Sequence, residues 1–174
     1  MFEFPEIKSV GNYLLPMVVG CGFLTASSMS VTPLRYVWNA SKSLPKGLYR
    51  ITESLPSKGE LVLVHLPEWV QFLADQRKYL PRNTPALKRI YGIRGDVVCR
   101  FGETVFINQK NVAIAKIRDN SNRKMPVWRG CKRLNSSELF LLTEHADSFD
   151  GRYFGIVKAS SVTGIAKPMW LVSD

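Results

Sequence analysis

The chain has 174 residues, 45% of them hydrophobic, which is enough for one folded domain with a small appendage and excludes a globally disordered chain. A net charge of +10 fits an anionic partner, either nucleic acid or a lipid surface. The basic residues between Lys116 and Arg133 are scattered through a turn-rich stretch with no interleaved aromatic stripe, so a basic surface is read here and no specific nucleic acid is expected. Cys21, Cys99 and Cys131, with His65 and His145, lack zinc-site spacing, so no metal and no cofactor are expected. Cys99 and Cys131 either pair in an oxidising compartment or remain two buried thiols, and the sequence leaves both open.

From Tyr13 to Val31 the chain carries no charge, and the uncharged stretch is bounded by Lys8 and Arg35. A bilayer-spanning helix needs about 20 apolar residues. The segment is therefore read as an uncleaved membrane anchor within an N-terminal unit, residues 1–34, ahead of a folded domain, residues 35–174. A cleavable signal peptide competes, because small residues surround Ala26, but Glu3 and Glu6 make a poor positive n-region. A buried core helix is the purely structural alternative.

Ser41-Lys-Ser-Leu-Pro-Lys-Gly-Leu-Tyr49 comes next, with Pro45 and Gly47 placing Ser43 on a tight bend. Gly59 to Leu66 is a run of β-formers closed by Pro67. Glu68 to Leu80 sets Trp69, Phe72, Leu73 and Leu80 at helical spacing, which predicts a short amphipathic helix with those residues packed on the domain. A lid or membrane-facing flap is the sharper alternative for it. Asp96–Phe101 and Thr104–Asn108 flank a Gly102-Glu103 turn, and Val112–Ile117, Leu139–Thr143 and Tyr153–Val157 read as further strands. Short strands with frequent turns predict an all-β barrel or sandwich-like domain.

Chemistry enters through two distant elements. A serine hydroxyl needs a base to become a nucleophile, and a lysine serves only when neutral, several units below its ordinary pKa of about 10.4. Lys88, between Leu87 and Ile90-Tyr91, sits in an apolar context that favours such a shift. Ser43 is the candidate nucleophile and Lys88 the candidate general base. The Ser43 backbone N–H and the Ser41 hydroxyl are natural donors to an oxyanion.

Three strings together resemble the type I signal peptidases. Ser41-Lys-Ser43-Leu-Pro45 is similar to their nucleophile box, Lys88-Arg-Ile-Tyr-Gly-Ile-Arg-Gly-Asp96 to their lysine box, and Asp147-Ser-Phe-Asp-Gly-Arg-Tyr-Phe-Gly155 to their C-terminal box. The Ser-Leu-Pro-Lys-Gly-Leu-Tyr form, the insertion before the lysine and Pro126-Val-Trp128 resemble the TraF-type branch, the peptidases of conjugative transfer. The resemblance implies Ser43 as nucleophile, Lys88 as general base, Ser41 as oxyanion donor and Ser148 as the residue orienting the lysine. It also implies Asp150 and Arg152 as a supporting charged pair and Gly95-Asp96 as a structural turn. Gly151 departs from the family, which usually has serine there, and Arg94 stands where proline is common.

The implied protein is a serine endopeptidase of signal-peptidase-like β-fold on one N-terminal transmembrane helix in the bacterial inner membrane, its catalytic domain in the periplasm. That placement favours a Cys99–Cys131 bridge. The implied partners are inner-membrane lipid and a membrane-inserted pilin precursor of a conjugative type IV secretion system, which the enzyme cleaves or cyclises. The alternatives are a general type I signal peptidase, a self-cleaving repressor, and a non-enzymatic basic assembly protein of the transfer machinery. The repressor reading fails on room, because only 20 residues precede Cys21-Gly22.

Overall fold

The computed structural model describes residues 16–18 and 35–172. The chain divides into two units, residues 1–34 and 35–174. The expected membrane anchor over residues 13–31 lies outside the described residues save for 16–18, and no helix among the described residues is long and apolar enough to cross a membrane.

Two antiparallel sheets make up the second unit. The larger has seven strands: β1 (Tyr36–Asn39), β2 (Gly47–Thr52), β3 (Leu61–Val64), β4 (Ala86–Gly92), β9 (Glu138–Leu142), β10 (Ile156–Lys158) and β11 (Val162–Leu171). Their order across the sheet is β1-β2-β11-β3-β4-β9-β10. The smaller sheet holds β5 (Val97–Phe101), β6 (Thr104–Ile107), β7 (Lys110–Ile114) and β8 (Gly130–Arg133), in the order β7-β6-β5-β8. The all-β expectation therefore holds, with few helices.

Strand β3 shows why the larger sheet is stable. Its sequence Leu-Val-Leu-Val is buried at every position because both faces are covered. Val62 and Val64 enter one core cluster with Ile90, Leu141 and Phe154, while Leu61 and Leu63 enter another with Leu44, Tyr49 and Leu87. Burying each such side chain stabilises the fold by about 1.5–3 kcal/mol. Strand β9 bridges to the smaller sheet in the same way: Leu139 and Leu141 face the first cluster, and Phe140 and Leu142 join Val98, Val105 and Ile107.

Strands β1, β2, β4, β8 and β11 are not among the strands expected from the sequence, and three further features differ from that expectation. Helix α1 (Glu68–Gln76) forms after Pro67, but its buried positions are Val70 and Ala74, while Trp69 and Phe72 are 51% and 55% exposed. Val70 joins the first core cluster with Val62, Val64 and Leu66, and that orientation turns the aromatic pair outward. The helix stops early because Lys78 takes φ +58°, and Tyr79 then bonds to Asp119, which also accepts from Arg123 Nε at 2.7 Å. Tyr153 and Phe154, expected in a strand, lie in a one-turn helix α2 (Gly151–Phe154), because Asp150 caps it by accepting from the Arg152 N–H. Strand β7 starts at Lys110 rather than Val112, because Asn108 and Gln109 both take positive φ and form the turn by themselves.

Cys99 and Cys131 face each other across β5 and β8 and form a disulfide, resolving the alternative that the sequence left open.

Candidate active site

The turn carrying Ser43 joins β1 to β2, between the paired residues Asn39 and Gly47. It folds back over the sheet. Leu44 is buried in the cluster with Tyr49 and Leu87, and the Tyr49 hydroxyl donates to the Pro45 carbonyl at 2.7 Å. Ser43 is half-buried and Ser41 is exposed. Their Oγ atoms lie 2.9 Å apart. Ser41 Oγ also donates to Asn39 Oδ1 at 2.8 Å. A cleft of about 300 Å³ borders the turn, with Leu44, Pro45, Tyr49, Leu61 and Arg89 among its lining.

Lys88 lies mid-strand in β4, opposite Val62. Alternation along the strand gives it the same face as Ala86 and Ile90, which belong to the first core cluster. It is only 6% exposed. Burial, the largest influence, pulls its pKa below the ordinary lysine value; the carboxylate of Asp150 opposes that shift, the guanidinium of Arg152 adds to it, and the pKa comes to about 8. Its Nζ donates to Ser148 Oγ at 2.8 Å.

Ser148 is held by the segment between β9 and α2. Asp150 and Arg152 are buried and paired at both oxygens, with Nε to Oδ1 at 2.8 Å and a terminal nitrogen to Oδ2 at 3.0 Å. Arg152 also donates to the carbonyls of Thr143 at 2.8 Å and Ala146 at 3.1 Å, and the Thr143 N–H donates to Asp150 Oδ2 at 3.1 Å. These bonds close the loop around the charged pair. A buried pair satisfied this fully resists disruption, because removing one partner strands a charge in the interior. Gly151 has no room for a side chain, since a Cβ would lie 2.6 Å from the Leu141 carbonyl oxygen.

The six sequence-predicted residues thus fall into two sets. Ser41 and Ser43 form one; Lys88, Ser148, Asp150 and Arg152 form the other. No hydrogen bond joins Ser43 to Lys88, but the residues beside them, Leu44 and Leu87, share one core cluster. Gly95 and Asp96 form the expected turn, with Gly95 at φ +93° and Asp96 Oδ2 accepting from the Ile93 N–H at 3.0 Å. Sequence reasoning missed Asn39. Its one signal was a polar residue two positions before Ser41.

The family model for signal peptidases, peptidase S26, matches residues 10–171. The chain belongs to the type I signal peptidase family, in its TraF-type branch. A plasmid transfer protein TraF from Escherichia coli is 31% identical over 173 residues, covering 92% of each chain. A second Escherichia coli TraF is 30% identical over 142 residues, covering 75% of this chain and 80% of that one. A signal peptidase I from Enterococcus faecalis, at 19% identity, aligns over 66% of this chain and 98% of its own with a TM-score of 0.38. All six candidate residues fall inside the span that the signal peptidase family model matches.

Proposed function

We propose that this chain is a membrane-anchored Ser/Lys endopeptidase that processes the pilin precursor of a conjugative type IV secretion system. The observation that carries the reading is Lys88: a buried lysine whose pKa is near 8 and whose Nζ is aimed by Ser148. A lysine so placed is neutral in a useful fraction of molecules near neutral pH, as a general base must be.

In the proposed reaction Lys88 Nζ takes the hydroxyl proton of Ser43 as Oγ attacks the scissile carbonyl carbon. The oxyanion is held by the Ser43 backbone N–H and the Ser41 hydroxyl. The C–N bond breaks, the Lys88 ammonium gives its proton to the leaving amine, and an acyl ester remains on Ser43. Water, activated by the again-neutral Lys88, hydrolyses the ester. Where the precursor's own N-terminal amine is held nearby, its high effective concentration favours attack by the amine and a cyclic product.

Three observations support the setting. The Cys99–Cys131 disulfide suits an oxidising compartment such as the periplasm. Tyr36 and Trp38 on the edge strand β1 and Met169 and Trp170 near the end of β11 are exposed, and the two tryptophan rings lie 6.1 Å apart. Such an aromatic patch suits the lipid interface. The TraF relatives are plasmid transfer proteins, which supports a conjugative substrate.

The test is the mass of the pilin precursor co-expressed with wild type, Ser43→Ala or Lys88→Ala. The proposal predicts shortening by wild type alone, and a further loss of about 18 Da, one water, where an acyl-enzyme is resolved by the amine. Shortening by all three, or by none, would contradict it. Processing of unrelated secreted preproteins by wild type would instead favour a general signal peptidase.

A further inference from the structure

The geometry points to Asn39 as a positioning residue that shapes the nucleophile turn and sets which way the hydroxyl protons of Ser41 and Ser43 face before substrate arrives. The inference rests on the reading of Ser43 as nucleophile.

Asn39 ends β1 opposite Gly47 and is buried, at 7% exposure. Its side-chain polar atoms are fully used. Nδ2 shares its two protons among three carbonyls, those of Ser41 at 3.2 Å, Leu44 at 3.1 Å and Pro45 at 3.1 Å. Oδ1 accepts from the Ser41 N–H at 3.1 Å and from Ser41 Oγ at 2.8 Å. The orientation of the amide follows from chemistry: carbonyl oxygens only accept, so the NH2 end must face them. One side chain thus ties together both flanks of Ser43, the residue two before it and the two after it.

The consequence for the protons is direct. Ser41 has a single hydroxyl proton, and it is spent on Asn39 Oδ1. In the 2.9 Å contact between the serines, Ser41 Oγ must therefore accept and Ser43 Oγ must donate. In the resting protein the nucleophile's proton faces Ser41, and the oxyanion donor's proton is parked on Asn39. When a substrate carbonyl enters, the Ser43 proton passes to Lys88 Nζ and the Ser41 hydroxyl rotates from Asn39 Oδ1 to the oxyanion, the stronger acceptor. Asn39 neither gains nor loses a proton.

The test uses the full chain carrying Asn39→Ala or Asn39→Asp, with one readout independent of catalysis. Amide hydrogen exchange at Ser41, whose N–H is held by Oδ1, should rise about tenfold or more in Asn39→Ala while Tyr49 and Ile51 on β2 stay as in wild type. On a synthetic peptide of the pilin precursor's cleavage region, Asn39→Ala should lower kcat about 100-fold with KM within about twofold. Asn39→Asp keeps the acceptor for Ser41 but can donate to the carbonyls only while the new carboxyl is protonated. At about pH 7 and above that carboxyl is ionised, so kcat should fall about as far as in Asn39→Ala, again with KM within about twofold. Unchanged kcat in either variant would overturn the inference. If Asn39→Ala does not fold, kcat of Asn39→Asp decides. If wild type leaves the peptide intact, the nucleophile reading has failed, and Ser41 exchange in the variants still decides whether Asn39 holds the turn.

Discussion

Lys88 Nζ on the larger sheet and Ser148 Oγ in the loop after β9 are both buried and 2.8 Å apart, joined across 60 residues of sequence. Burial makes the lysine a usable base, and the serine fixes where its nitrogen points.

The pH dependence of cleavage follows. A base that works only when neutral gives a rate that rises with pH and levels off above about 8, with Lys88 as the titrating group. Ser148→Ala removes an acceptor that favours the ammonium form, so the rising limb should move to lower pH. The plateau should fall about 100-fold, because Nζ is no longer aimed. A pH–rate profile of both proteins checks the two shifts together.

Lys88 should also make the fold less stable than it would be with an apolar residue at this position. The folded pKa, about 8, lies below the unfolded value, so between those values the unfolded chain binds more protons and stability rises with pH. At pH 7 and below the buried ammonium exerts its full cost. Lys88→Met, of similar length, should be inactive yet more stable at pH 7 by on the order of 1–3 kcal/mol, the gain shrinking as pH climbs toward about 10. Thermal melts of both proteins across that range would show it.

Gly151 should not tolerate a serine. A Cβ there would lie 2.6 Å from the Leu141 carbonyl oxygen and 2.9 Å from a ring carbon of Phe140. Gly151→Ser should destabilise the domain by roughly 1–3 kcal/mol through overpacking. Gly151→Ala should do the same, which urea denaturation can test, since the obstacle is the Cβ and not the hydroxyl.

The disulfide should act on the smaller sheet. Strand β8 is exposed along its whole length, and besides its pairing with β5 and the exposed side-chain bonds of Lys132 to Glu138 and Arg133 to the Gly95 carbonyl, the Cys99–Cys131 bond holds it. The bond closes 32 residues of sequence separation, and replacing both cysteines by serine should cost roughly 3–4 kcal/mol. Amide exchange should quicken in β8 while β3 and β4 keep their protection.

Local chemistry was the legible part of the sequence. Leu61-Val-Leu-Val64 shows its strand by β-branching and by Pro67 beyond it, and the turns after Phe101 and Ile107 show themselves through Gly102 and Asn108. The candidate residues were readable because their strings travel together. Tertiary choices were not. Trp69 and Phe72 have helical spacing, yet Val70 enters the core cluster and Ala74 is buried instead, a choice of face that depends on what the helix packs against. Tyr153 and Phe154 look like strand residues until the Asp150 carboxylate is seen to cap a helical turn. Asn39 was silent because its partners are backbone carbonyls, and only the folded turn brings them together.

The most direct test of the central claim is the titration of Lys88 itself, followed by NMR at its labelled side chain in the folded chain, with Lys88→Met to assign the signal. The account predicts a midpoint near 8. A midpoint at or above the ordinary lysine value of about 10.4 would leave the residue charged at working pH and contradict its role as the base.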